Sequence, residues 1–186
     1  MGVFKKIASA MGLSKQELRI LVVGLDNGGK TTLINSFKPQ KADTFEVTPT
    51  VGFQIEGFIK NNLNFTMFDM SGQGKYRSLW EAYYRDVEAI IFVLDSTDRI
   101  RACIAKEELD ELLHHKDIAR TSVPILLFAN KIDMPGAMTP VEIVDLLSLN
   151  EINDKAWRVA SSNALSGEGV EEGMSWLADQ IRQQRK

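Results

Sequence analysis

Six short apolar runs punctuate the chain: Leu18 to Val23, Phe53 to Ile59, Leu63 to Asp69, Ala89 to Asp95, Pro124 to Asn130 and Trp157 to Ser161. Each is four to eight residues long in the manner of a strand, and polar turn residues follow most of them. Between them lie stretches of helical period. One runs from Thr31 to Phe37, and another carries Ile100, Ile104, Glu108 with Leu109, and Leu112 with Leu113. Thr139-Pro140-Val141-Glu142 has the capping-box pattern with proline at the first helical position, which predicts a helix to about Leu147. Val170, Met174, Leu177 and Ile181 form one apolar stripe of a last helix.

The second and third runs are joined only by Lys60-Asn61-Asn62, a hairpin connection, whereas the later strands are separated by helices. The prediction is an α/β fold: a six-stranded, mostly parallel sheet with one antiparallel edge strand and helices on both faces. Imperfect alternation in Phe65-Thr66-Met67-Phe68 fits a strand covered on both sides. Lys38 to Gly52, interrupted by Pro39 and Pro49, reads as a long loop, and long loops in compact domains are often functional.

Length and charge narrow the class. At 186 residues and 44% hydrophobic the chain suits one domain with a full core. A net charge of −3 and a pI near 5.5 provide no broad basic field, so nucleic acid is not expected as a partner. Cys103 is the only cysteine, which excludes an internal disulfide, and it is expected as a buried or half-buried helix residue. His114 and His115 are adjacent, lack the i, i+4 spacing of a metal pair, and are expected at a solvated helix end.

The chemistry begins where the first strand ends. Gly24-Leu25-Asp26-Asn27-Gly28-Gly29-Lys30-Thr31 matches G-x-x-x-x-G-K-[ST] at every fixed position, between a strand and a helix as that motif requires. Glycines let backbone N–H groups approach phosphate oxygens, and the following helix points its positive end at the same anion. Lys30 is placed to reach the β- and γ-phosphates, and the Thr31 hydroxyl to ligate magnesium. At the end of the third strand, Asp69-Met70-Ser71-Gly72-Gln73 offers a carboxylate for magnesium through a water, a glycine N–H for the γ-phosphate, and an uncharged amide suited to orienting a water.

Asn130-Lys131-Ile132-Asp133 closes the fifth strand. The Asp133 carboxylate can accept from the N1–H and exocyclic amine of guanine, a donor pair that adenine lacks on that edge. Rejection of adenine, which leaves a buried carboxylate unpaired, favours GTP over ATP and disfavours a P-loop ATPase or kinase. Lys131 would lie over the base, Asn130 would tie loops together, and the Ala164 N–H could donate to the guanine carbonyl. In the long loop, Thr50 is preferred to Thr48 as the hydroxyl that joins the magnesium, because Pro49 biases Thr48 toward an extended link. Loop order would then depend on the third phosphate.

Together these segments resemble the small GTPases of the Ras superfamily, and their details resemble its Arf and Arf-like branch. GLDNGGKT, the PTVGF run at Pro49 to Phe53, Ser78-Leu79-Trp80 with Tyr83-Tyr84, NKID, and Gly169 to Leu177 stand at Arf-like positions. DMSGQGKYRSLWEAYY and the NALSGEGVEEGMSWL ending are similar to the ciliary Arf-like members associated with Bardet–Biedl syndrome. The resemblance implies a switch that binds GTP, GDP and Mg2+, hydrolyses slowly, and depends on an exchange factor and an activating protein. It implies an N-terminal helix at residues 1–14 ahead of a GTPase domain at 15–186.

Carried over by position, Gly24, Leu25, Asp26, Asn27, Gly28, Gly29, Lys30, Thr31 and Thr32 hold phosphates, with Gly72. Thr31, Thr50 and, through water, Asp69 hold magnesium, Gln73 positions the attacking water, and Asn130, Lys131, Asp133 and Ala164 take the base. Phe53, Phe68 and Tyr83 match an aromatic surface triad shown to effectors in the GTP state. The implied output is recruitment of a BBSome-like effector coat complex to membranes for ciliary protein trafficking, from a cytoplasmic and peripheral-membrane location at the cilium or its base. The chain departs from the family pattern at Ser71 for glycine, Gly28 as an extra glycine, Phe68 for tryptophan, and Asn163 and Leu165 around Ala164. Ser71 and Gly28 motivate an alternative, a GTP-locked scaffold with little turnover; another is an Arf-like GTPase of a different trafficking step. No arginine in these motifs is placed as a finger in cis, so one supplied in trans would raise hydrolysis by roughly 10³ to 10⁵.

Val3, Phe4, Ile7, Ala8 and Met11 fall on one helical face, opposite Lys5, Lys6 and Ser9, an amphipathic segment suited to a membrane interface. Gly2 is present for N-myristoylation, but Lys6 stands where that motif wants Ser or Thr, and the lipid is not expected. The C-terminal Gln183-Gln184-Arg185-Lys186 carries no prenylation cysteine, which leaves the N-terminal segment as the expected membrane contact.

Overall fold

The computed structural model describes residues 16–39, 50–61 and 63–185. Six strands form one sheet: β1 (Gln16–Val23), β2 (Phe53–Lys60), β3 (Leu63–Met70), β4 (Ala89–Asp95), β5 (Ile125–Asn130) and β6 (Trp157–Ser162). Their spatial order is β2-β3-β1-β4-β5-β6. All neighbours pair in parallel except β2 with β3, so the antiparallel strand lies at the edge, as the hairpin spacing predicts. The carboxyl ends of β1, β3, β4, β5 and β6 therefore share one rim. Because Phe53 pairs with Met70, the chain entering β2 arrives at that rim too.

Period-two alternation sends neighbouring side chains to opposite faces, and both faces are covered. Leu21, Val23, Phe92 and Leu127 pack toward α2 (Ala102–His114) and α4 (Pro140–Leu146). Ile20, Val22, Ile91 and Val93 pack toward α1 (Lys30–Phe37) and α5 (Val170–Gln184). The predicted stripe Val170, Met174, Leu177 and Ile181 is buried in full. The capping box is present as read: Thr139 Oγ1 accepts from the Glu142 N–H at 3.3 Å, and Glu142 Oε2 accepts from the Thr139 N–H at 2.8 Å. Among the described residues no helix is long and apolar enough to cross a membrane.

Several expectations are corrected. The buried stripe of α2 is Ala102, Ala105, Leu109 and Leu112, not one that begins at Ile100, which is 89% exposed and precedes the helix. Cys103 is exposed because it falls on the outer side of that stripe. His114 is solvated, but His115 is half-buried with its ring edge-on to Tyr84 at 4.9 Å, and it caps the short α3 (Lys116–Ala119) by accepting from the Asp117 N–H. A 3-10 segment, Gly74–Tyr83, follows Gln73 and gives no periodic signal because only Trp80 in it is buried. The segment 1–14, and residues 40–49 of the long loop with Thr48, lie outside the described residues.

Candidate functional site

A cavity of about 600 Å³ opens at the shared rim. Its wall includes Asp26, Asn27, Gly29, Lys30, Thr31 and Thr32 from the first loop, Thr50, then Gly72 and Gln73 after β3. Asn130, Lys131, Asp133 and Ala164 from the β5 and β6 ends line it as well. Thus five segments far apart in sequence meet because parallel strands end together. Gly24, Leu25, Gly28 and Asp69 are not part of its lining.

Lys30 is buried and folds onto its own loop, donating to Gly24 O at 3.0 Å and Leu25 O at 2.7 Å. Burial lowers its pKa to about 8; Asp69 and Asp26 push it back up, and Arg77 adds to the lowering. A cation held in this state gains from an anion placed beside it. The loop is shaped for close approach: at Gly29 (φ +95°) a Cβ would lie 2.3 Å from Asn130 Nδ2. At Gly72 it would lie 2.2 Å from the Asp26 nitrogen, so the β3 end rests directly on the phosphate loop. Gly28 is different: its backbone is not left-handed, and a Cβ there would come to 3.0 Å from Val93 O.

Thr31 Oγ1 donates to Asp69 Oδ2 at 2.6 Å and sits 3.0 Å from Thr50 Oγ1, which itself lies 3.4 Å from the same carboxylate oxygen. Burial raises the Asp69 pKa against the opposing Thr31 hydrogen bond and Lys30 charge. Its other oxygen, Oδ1, is buried and has no hydrogen-bond partner among the described residues. An orphaned carboxylate oxygen next to two hydroxyls is a hard, all-oxygen donor set that fits magnesium.

Asn130 knits the base end to the phosphate end. Its Nδ2 donates to Gly28 O at 2.8 Å, and its Oδ1 accepts from Ser162 Oγ at 3.3 Å and from the Ala164 N–H at 2.9 Å, which corrects the expectation that this N–H is free for a guanine carbonyl: Asn130 engages it. Lys131, with a left-handed φ of 66°, donates to Asp95 Oδ2. Burial alone would raise the Asp95 pKa, but hydrogen bonds from Lys131 and Thr97 bring it below its usual value. Asp133 stands exposed at the cavity mouth.

Gln73 is half-buried, and its N–H points to Ser71 Oγ at 3.4 Å. Ser71 is buried with an ordinary φ; its N–H donates to Gly52 O at 2.9 Å and its carbonyl accepts from Trp80 Nε1 at 3.1 Å. A serine therefore occupies this position without backbone strain. Of the aromatic triad, Phe53 is 41% exposed and Tyr83 half-buried, their rings 5.2 Å apart. Phe68 is only 8% exposed and lies 4.9 Å from the Tyr83 ring, so the surface expected of it is corrected: Tyr83 covers it.

Sequence reasoning missed Asp95 and Arg101, both on the cavity wall. The signal was available in Asp95-Ser96-Thr97-Asp98-Arg99-Ile100-Arg101, a polar run at the end of a buried strand, since the same rule places every strand end at the rim.

A sequence profile of the ADP-ribosylation factor family matches residues 4–181. The chain belongs to the ADP-ribosylation factor family. Among relatives of this Arf-family protein, ADP-ribosylation factor-like protein 6 of Danio rerio is 53% identical over 182 residues, spanning 98% of each chain. The protein of that name from Caenorhabditis elegans is 44% identical over 181 residues, spanning 97% of this chain and 95% of its own. A solved structure of the Arl6 BBS3 small GTPase from Trypanosoma brucei, with bound nucleotide analogue GppNp, has a TM-score of 0.86 at 44% identity. That match covers 91% of this chain and 99% of the other. The Arf-family chain is accordingly a GTP-hydrolysing small GTPase that uses GTP, GDP and magnesium.

Proposed function

We propose that this chain is a recruitment switch: in its GTP state it gathers a BBSome-like effector coat complex on membranes for ciliary protein trafficking. The observation that carries the reading is the closeness of sensor to output. Thr50 meets Thr31 and Asp69 at the cavity, and Phe53, three residues on, is exposed against Tyr83. A loop drawn in by the third phosphate fixes the start of β2, and with it the aromatic surface that a partner would contact. The names of the relatives support the ciliary assignment.

Within this reading Gly24 to Thr32 cradle the phosphates, with Lys30 turning from its own carbonyls to the anion. Thr31 and Thr50 would hold magnesium directly and Asp69 through water; the bound ion would neutralise the charge of the terminal phosphates. Gly72 donates its N–H to the γ-phosphate, and the Gln73 amide orients the attacking water. Asp133 selects guanine, Lys131 covers the base, and Asn130 holds Ala164 and the phosphate loop in register. Arg77 donates to Gly72 O and pairs with Glu108, so it is engaged elsewhere, and fast hydrolysis needs an arginine from an activating protein. An exchange factor reloads GTP, and the amphipathic segment at residues 1–14 supplies the membrane contact.

Affinity capture from ciliated-cell extract, with protein loaded with GppNp or GDP, tests the reading. A coat complex retained only with GppNp is expected; equal retention in both states refutes it.

A further inference from the structure

A carboxylate inside a phosphate cradle opposes the ligand that the cradle is built for. Asp26 is such a group: it lines the cavity, its charge acts on Lys30, and its backbone nitrogen is the atom on which Gly72 rests. Arg101 answers it from the β4 end. Its Nη1 lies 2.9 Å from Asp26 Oδ1 and its Nη2 3.4 Å from Asp26 O, so side chain and backbone of the loop are both gripped. The guanidinium is anchored in turn, with Nε donating to Asp98 Oδ2 at 2.6 Å and the Arg101 N–H to Asp98 Oδ1 at 3.1 Å. A planar fork tied at both ends has little freedom to leave.

We infer that Arg101 is a positioning residue for the γ-phosphate: it neutralises Asp26 and holds that carboxylate away from the place where the third phosphate binds. The inference rests on the reading of the cavity as a GTP site. It predicts a bias between ligands, because GTP brings one more phosphate and more negative charge than GDP. Loss of the counter-charge should weaken GTP more than GDP, whereas loss of a merely structural contact should weaken both alike.

The test is equilibrium affinity for GppNp and for GDP, with magnesium, in the full chain. Arg101→Ala is expected to lower the GppNp-to-GDP affinity ratio about tenfold, since the released carboxylate repels the longer ligand at close range. Arg101→Ala with Asp26→Asn should recover most of that ratio, because the charge that needed neutralising is gone. Asp26→Asn alone should move the ratio the other way, toward GppNp, as Arg101 is left with unspent charge beside the site; this variant keeps the inference testable where Arg101→Ala fails to fold. An unchanged ratio in Arg101→Ala, no recovery in the double variant, or a shift toward GDP in Asp26→Asn each overturns it. Failure of the unaltered protein to bind either nucleotide would instead overturn the GTP-site reading itself.

Discussion

Replacing Asn130 with alanine removes three hydrogen bonds from a side chain that is 2% exposed: to Gly28 O, from the Ala164 N–H and from Ser162 Oγ. Ser162 can turn its hydroxyl elsewhere. The Gly28 carbonyl and the Ala164 N–H are backbone groups in buried residues and cannot. A buried group left without a partner costs about 1–3 kcal/mol, so the two together should cost about 2–6 kcal/mol of folding stability. For a domain of this size that lowers Tm by roughly 10 °C. Because the lost bonds join the phosphate loop to the loop that carries Ala164, nucleotide release should also accelerate, by at least about fivefold on the usual scale of coupling between sites. Urea denaturation of the GDP-loaded protein and release of a fluorescent GDP analogue read the two effects separately. A stability change below about 0.5 kcal/mol, the range of an ordinary surface substitution, together with unchanged release, would refute the idea that Asn130 joins the two halves of the site.

Other perturbations separate further parts of the molecule. Phe68→Ala should cost about 3–5 kcal/mol in a denaturation experiment, as for any aromatic deleted from a core, while Phe53→Ala should leave stability within about 1 kcal/mol and yet abolish GppNp-dependent partner capture. Gly72→Ala drives a Cβ into the Asp26 nitrogen and should reduce GTP turnover at least tenfold in a single-turnover assay, with GDP affinity changed far less. Glu142 has its pKa lowered to about 2 by the Thr139 N–H first and by Arg99 next. A depressed carboxylate adds stability that is present above its ordinary value near 4.5 and lost as pH falls toward 2, so Glu142→Gln should flatten the Tm profile through that window, lowering Tm at pH 7 and changing it little near pH 2.

The fold was legible because its strands are buried on both faces. Ala89 to Asp95 and Ile125 to Asn130 are almost unbroken apolar runs, and a buried parallel strand has few other ways to look. The phosphate loop and the NKID segment were legible for a related reason: each stands at the end of such a strand, so strand order alone brings them to one rim. Arg101 escaped because its role is electrostatic and long-range, a side chain 75 positions from the aspartate it pairs with, and no local period records that. Phe68 shows the converse limit. Its alternation places it on one face of β3, but whether that face is open depends on Tyr83, which is carried by a 3-10 segment with no periodic signature. Ser71 departs from the family glycine without strain, since its φ is ordinary and its hydroxyl serves the next turn.

The proposed switch implies a fixed half of the site, Thr31 with Asp69, and a movable half, Thr50 with Gly72, and hydrogen exchange reads that division directly. In the structure the Ser71 N–H donates to Gly52 O at 2.9 Å, two residues beyond Thr50, so that amide reports whether the movable half is in place. With GppNp and magnesium the Ser71 amide should exchange at least tenfold more slowly than with GDP, while amides of β1 and β4 stay the same in both states. Equal exchange at Ser71 in the two states would contradict the switch.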